Sequence, residues 1–206
     1  MMRLGLLAKK VGMSRFYDSA GVNHPATILK VDDSIILDIK TNEKNGYSAV
    51  RLSLGKSKRK NNKPIKGFLK KQNIPAFLFS KEFRVDDTSE IEVGQKFDVE
   101  LFEIGQTVNV SGLSIGKGNL GNIKRNQHTR GAMSHGSKSH RLQGSLGAGT
   151  TPARVLPGKK MPGRSGYEQR TIKGLEIIDI DKSQNLIVVK GSIPGKAGNL
   201  VSIKLS

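Results

Sequence analysis

Apolar and polar residues alternate with period two in two short stretches of this chain. Phe97-Asp98-Val99-Glu100-Leu101 would set three apolar side chains on one face of an extended backbone, and Val201-Ser202-Ile203-Lys204-Leu205 repeats the pattern. Runs at 26–31, 35–39 and 47–54 are short and β-branched-rich, and are punctuated by turn signals such as Asp32-Asp33 and Asn42-Glu43-Lys44-Asn45-Gly46. Runs at 175–180 and 186–189 flank Asp181-Lys182-Ser183-Gln184-Asn185, a good hairpin connection. About nine short strands at this spacing predict a mainly β fold, a barrel or a sandwich. One short helix is predicted over 65–72, before Pro75.

Charge changes this picture by its position. Lys and Arg number 35 against 17 Asp and Glu, a formal net charge of +18 over 206 residues. Between Glu103 and Glu168 lie 64 residues without an acid, carrying ten Lys and Arg, three of the four histidines and 13 of the 24 glycines. No aromatic ring of Phe, Tyr or Trp occurs from 103 to 166. A second acid-free window, 44–81, holds eleven Lys and Arg, densest in Lys56-Ser57-Lys58-Arg59-Lys60. The remaining residues carry 14 bases and 17 acids and can fold as an ordinary β body. The expected organisation is therefore a body of 1–103 and 167–206, with a basic insert at about 44–81, and an extended loop of 104–166.

The long interval has too few large apolar side chains to repay its own ordering entropy. It should be ordered by whatever the charge binds. As a hairpin of ~30 residues per arm it could reach on the order of 50 Å beyond the body. An excess of positive charge favours a polyanionic partner, because binding releases counterions. No stretch is long and apolar enough for a membrane helix, the amino terminus lacks a secretory pattern, and the basic residues follow no amphipathic period. A soluble, unexported chain that binds no membrane is expected.

Candidate chemistry is sparse. Cysteine is absent, which excludes disulfides and thiolate sites. Gly116-Lys117-Gly118-Asn119-Leu120-Gly121 matches a dinucleotide fingerprint, but no acid follows before Glu168 to hold a ribose, and no amphipathic helix follows. His128, His135 and His140 lack a Cys or carboxylate partner in their interval and sit among Arg125, Arg130, Lys138 and Arg141, which repel a cation. Ser134-His135 has no orienting acid nearby. Asp86-Asp87 and Asp32-Asp33 read as turn caps. No catalytic site, metal, cofactor or small-molecule substrate is expected.

Structured RNA fits the long interval better than duplex DNA or a single-strand stacking platform, given the missing aromatics. Arg125, Arg130, Lys138, Arg141, Arg154, Lys159, Lys160 and Arg164 are the eight expected phosphate contacts, Lys117 and Lys124 are expected to bind RNA beside them, and His128, His135 and His140 make shorter-range contacts. Gly116, Gly118, Gly121, Gly136, Gly144 and Gly147 would let backbone pass close to phosphate. Lys58, Arg59 and Lys60 would add a shallower contact from the body, unless they only form a solvated basic face.

Several motifs in order resemble the universal large-subunit family of ribosomal protein L three. They are Gly5-Leu6-Leu7-Ala8-Lys9-Lys10-Val11-Gly12-Met13-Ser14-Arg15-Phe16; Val110-Ser111-Gly112-Leu113-Ser114-Ile115-Gly116-Lys117-Gly118 with Gly121 and Lys124-Arg125; and Ser134-His135-Gly136-Ser137-Lys138-Ser139-His140-Arg141 with Gly144-Ser145-Leu146-Gly147. Thr151-Pro152, Arg154-Val155, Gly158-Lys159-Lys160-Met161-Pro162-Gly163, Asn185-Leu186-Ile187-Val188-Val189-Lys190-Gly191 and Pro194-Gly195 complete the likeness. The length fits the bacterial and organellar branch. The resemblance implies a β-barrel body with a small inserted α/β region, and a long loop that penetrates large-subunit rRNA toward the peptidyl transferase centre. It also implies binding to the 3′-proximal part of 23S-type rRNA early in assembly, and ribosomal proteins L fourteen and L nineteen as neighbours. The implied setting is a ribosome in bacterial cytoplasm or in organellar matrix or stroma, and the implied role is not enzymatic. Two departures stand out. Asn126-Gln127-His128 replaces the aromatic that many relatives carry after the Lys-Arg pair, and Thr150 replaces a glutamine that some of them methylate.

Overall fold

The computed structural model describes residues 5–18, 20–32, 34–56, 62–86 and 91–206. The chain divides into two compact units: one runs to Ser114 and resumes at Gln169, the other is Ile115–Glu168. The fold is mainly β.

In the first unit, six strands pair antiparallel into a closed barrel. They are β1 (Gly5–Tyr17), β2 (Asn23–Lys30), β7 (Thr107–Leu113), β10 (Gln169–Asp181), β11 (Leu186–Lys190) and β12 (Leu200–Leu205), in the order β1-β12-β7-β10-β11-β2 and back to β1. Register follows the hydrophobic alternation. Leu6 pairs with Ile203 and Ile203 with Val110, all three fully buried. Leu29, Val108, Ile177, Ile187, Val189 and Val201 fill the same interior. Register shifts at Lys10/Gly12, Ile172/Leu175 and Ile177/Asp179 bend the long strands. At one of them Gly174 takes φ +67°, and its N–H is accepted by Asn109 Oδ1 at 3.0 Å.

Between β2 and β7 the same unit carries an inserted sheet. Its strands are β3 (Ser34–Lys40), β4 (Ala49–Lys56), β5 (Phe77–Arg84) and β6 (Lys96–Phe97), in the order β5-β4-β3-β6, with helices α1 (Asn42–Asn45) and α2 (Lys63–Lys71) in the connections. The insert spans 34–97, wider than the basic window 44–81. Leu7, Ile36, Val50, Leu52, Leu54 and Phe83 form one of its cores, while Leu37 packs with Leu69 of α2 and with Ile74 in another. Gly5 is required here: a Cβ would collide with the Phe83 ring and the Ile203 carbonyl.

Three differences from the sequence expectation have physical causes. The first strand is β1, whose Leu6, Leu7 and Ala8 are buried in succession. Leu6 and Ala8 face the barrel interior and Leu7 the insert, so both faces are covered and no alternation shows. The segment 97–101 is not one strand: β6 ends at Phe97, and Val99–Leu101 is a 3₁₀ turn. Its apolar side chains serve both cores, with Val99 in the barrel interior and Phe97 and Leu101 touching barrel and insert alike. Thr107–Leu113, grouped with the loop by its lack of acids, is a barrel strand whose Val108 and Val110 point inward.

Candidate nucleic-acid interface

The second unit, Ile115–Glu168, contains all ten of the long interval's Lys and Arg, and every one is exposed. One residue in it is buried, Asn122, and it contributes nothing to any of the hydrophobic clusters. With no core, polar bonds to backbone set its shape. Strands β8 (Gly118–Leu120) and β9 (Gly163–Ser165) pair antiparallel, and Lys117 N–H donates to the Ser165 carbonyl at 2.9 Å.

A five-residue helix, α3 (Asn122–Asn126), follows β8 and clasps the returning arm. Asn122 Nδ2 donates to the Lys160 carbonyl at 3.1 Å. Arg125 Nη1 and Asn126 Nδ2 both donate to the Met161 carbonyl, at 2.8 and 3.1 Å, and Asn126 also reaches Asn122 Oδ1 at 2.6 Å. Arg125 thus has one donor committed within the protein, and its guanidinium lies against Gly163. Asn126 is the more informative position, since its side chain ties the helix to the returning arm.

Further out, the chain closes on itself between 131 and 140. Gly131 N–H donates to the His140 carbonyl at 3.0 Å, and His140 Nδ1–H donates to the Ala132 carbonyl at 2.9 Å. That bond fixes the His140 tautomer and leaves Nε2 for an outside partner. Inside this closure Ser137 N–H bonds the Ser134 carbonyl at 3.3 Å, with His135 at φ +60° and Gly136 at φ +74°. Two consecutive left-handed residues make a tight turn that places His135 at its tip. Gly136 is therefore accounted for by the turn. The closest approach is at Gly131, which was not singled out: a Cβ there would run into the Ser139 carbonyl.

The other expected residues fall on the surface of the same unit. Lys117, Lys124, Arg130, Lys138, Arg141, Arg154, Lys159, Lys160 and Arg164 are exposed, and His128 is half-buried. Gly116, Gly118, Gly121, Gly144 and Gly147 are exposed; around Gly118, Gly121, Gly144 and Gly147 nothing lies within 4 Å of where a Cβ would stand. Lys58, Arg59 and Lys60 lie outside the described residues.

Two features were missed by sequence reading. Gln143 carries a buried Nε2 with no hydrogen-bond partner among the described residues, and nothing in its local sequence marks it. Leu142, Leu156 and Ile115 are 71%, 58% and 58% exposed, apolar surface without a cover. Among the described residues no group of three His, Cys, Asp or Glu is placed to hold a metal ion, and no helix is long and apolar enough to cross a membrane.

Comparison with known proteins gives this surface its family. The family model described as ribosomal protein L3 matches residues 83–185. The chain is 50% identical over 203 residues to the large ribosomal subunit protein uL3c of Gracilaria tenuistipitata var. liui, covering 98% of this chain and 99% of that one. It is 46% identical to uL3c of Guillardia theta, over 98% and 100% of the two chains, and 48% identical to uL3 of Prochlorococcus marinus strain MIT 9215, over 98% and 94%. A barrel with a coreless basic excursion, joined to near full-length identity of this order, leads to one conclusion: the chain belongs to the ribosomal protein L3 family, in its bacterial and plastid branch.

Proposed function

We propose that this chain is a structural constituent of the large ribosomal subunit, bound to rRNA through Ile115–Glu168. The observation that carries the reading is that ten exposed cations stand on a unit with one acid and no apolar core. Such a surface repels itself when alone and gains entropy when phosphate displaces its counterions. The expected contacts are Lys117, Lys124, Arg125, Arg130, Lys138, Arg141, Arg154, Lys159, Lys160 and Arg164, with His128, His135 and His140. The bare Leu142 fits a partner that offers base faces.

In this reading the loop of 104–166, beyond its barrel strand Thr107–Leu113, threads into folded rRNA toward the peptidyl transferase centre. Residues 1–103 and 167–206 stay on the rRNA surface, with Lys58, Arg59 and Lys60 adding contacts there. Binding to the 3′-proximal part of 23S-type rRNA helps to start subunit assembly, and ribosomal proteins L fourteen and L nineteen are neighbours. The ribosome is that of a bacterium or of an organelle, its matrix or stroma. No chemistry on substrate is assigned to the protein.

Sedimentation of tagged protein through a sucrose gradient tests the reading, with co-migration in the large-subunit peak expected and free migration overturning it. Salt titration of binding to cognate rRNA tests the contact surface. Eight phosphate contacts give a log–log slope of roughly −5 to −7, whereas a slope near −1 would exclude a charge-neutralising excursion. Limited proteolysis adds a third measure: cleavage within 104–166 in free protein should be suppressed by cognate rRNA.

A further inference from the structure

Lys81 sits in surroundings unlike those of the chain's exposed cations. It lies on β5, and its Nζ donates to Ser202 Oγ on β12 at 2.7 Å. Burial holds its ammonium below the usual lysine range. Beside it runs a groove of about 640 Å³, walled by Leu7, Phe79, Leu113 and Leu200 around the Lys81 and Ser202 pair.

The groove has a definite place in the fold. It is lined by Phe79 and Lys81 of β5 but by no residue of β4, although Leu54 and Leu52 pair opposite them and are fully buried. The groove therefore follows the outer side of β5. Among the described residues no strand pairs along that side. The first half of the edge is apolar, with Leu78 50% and Phe79 38% exposed, and Lys81, Glu82 and Arg84 charge its far half.

We infer that β5 takes up an extended peptide segment of another protein, which adds as a strand and lays alternate side chains into the groove, an apolar one against Phe79 and a carboxylate onto Lys81. Adjacent same-face positions of a strand are two residues apart, so Phe79 and Lys81 would read an apolar-x-acidic pattern. The single cation matches one carboxylate. A sugar–phosphate backbone would bring repeated charges against Leu7, Leu113 and Leu200, which offer them nothing. An incoming carboxylate also restores the electrostatic support that burial removes from Lys81.

The test needs only the full chain. Amide shifts are followed by NMR while acetyl-Val-Thr-Glu-Thr-Leu-amide is added, and then its counterpart with Gln in place of Glu. Shifts confined to β5, β1, β12 and the Ser111–Leu113 end of β7 are expected, with affinity about tenfold weaker for the Gln peptide and for Lys81→Met, and largely restored in Lys81→Arg. Absence of shifts, or equal affinity for both peptides, would overturn the proposal. Its setting rests on the ribosomal reading, so a second experiment places photoreactive p-benzoylphenylalanine at Phe79 in assembled large subunits. A crosslink to an apolar-x-acidic segment of another protein supports the docking site, and a crosslink to rRNA overturns it. If the chain fails to enter large subunits at all, the ribosomal reading falls, while the peptide titration still decides this one.

Discussion

In the barrel body, Leu6, Leu29, Val110, Ile177 and Ile203 are sealed from solvent and touch one another across the interior. In Ile115–Glu168 the one buried residue is an asparagine, and the two arms are joined by Asn122, Arg125 and Asn126 donating to the carbonyls of Lys160 and Met161. Burial of large apolar side chains holds the first region whether or not a partner is present. Hydrogen bonds exposed to water each contribute about 1 kcal/mol net, since water competes for the same groups. The contrast explains why one chain can carry both a folded body that holds sixteen of the seventeen acids and a strongly basic excursion. The body's stability comes from its own side chains, while the excursion keeps its polar and cationic groups for a polyanion.

The most forceful way to break this comparison is to remove side chains of similar size from each region. Ile203→Ala should cost ~2–5 kcal/mol, because Ile203 is fully buried at the meeting of β1, β12 and β7. Leu142→Ala, at a residue 71% exposed, should shift urea unfolding by less than about 0.5 kcal/mol. Comparable losses in the two variants would mean that the excursion has a core of its own.

Backbone crowding offers the next measure. In Gly131→Ala the new methyl meets the Ser139 carbonyl, so the closure between Gly131 and His140 must open or shift, costing on the order of 1–3 kcal/mol locally. Hydrogen exchange should quicken at Gly131 and leave β7 and β12 unchanged. Slower by one step in effect, Arg141→Glu should weaken binding to cognate rRNA on the order of tenfold. It should reduce subunit assembly more than Lys60→Glu, with the midpoint of thermal unfolding unmoved. Equal assembly yields for the two reversals would take the leading role away from the excursion.

Much of the body was legible because period-two alternation is written locally. β2, β3, β4, β11, β12 and the 181–185 connection all follow from a few adjacent residues. β1 was hidden because Leu6 and Leu7 serve opposite cores, a fact of tertiary packing. The 97–101 segment misled for a related reason: its spacing suits a strand, but Val99, Phe97 and Leu101 fill two cores from a 3₁₀ turn. In the excursion the cations were legible from composition alone, since an acid-free run offers them no carboxylate partner of its own. Its clasp was not, because Arg125 and Asn126 meet Met161 across 36 and 35 residues of sequence, and an asparagine bonding to backbone leaves no periodic trace. The Gln143 amide is hidden in the same way.

Acid sharpens the comparison through the carboxylates, which the two regions divide unequally: Glu168 alone lies in the excursion, and the other sixteen belong to the rest of the chain. Asp181 is the informative one. Its Oδ1 accepts from the Ser183 hydroxyl at 2.6 Å and from the Ser183 and Gln184 N–H groups at 2.8 and 3.2 Å, which closes the β10–β11 hairpin. The Ser183 hydroxyl first, then these N–H groups, hold its carboxyl below the usual carboxylate range. The unfolded chain takes up its proton near the ordinary value of about 3.9, so between the two values the unfolded state binds more protons and stability rises with pH. The contribution is complete above the unfolded value and is lost as pH falls through the folded one. Asp181→Asn keeps an acceptor oxygen and loses the charge. The gap in thermal midpoint between the parent and Asp181→Asn should therefore be constant above about pH 5 and narrow as the pH falls below about 4. A gap that persists unchanged to about pH 2, below the ordinary carboxylate range, would show that the hairpin depends on the shape of the Asp181 side chain and not on its charge.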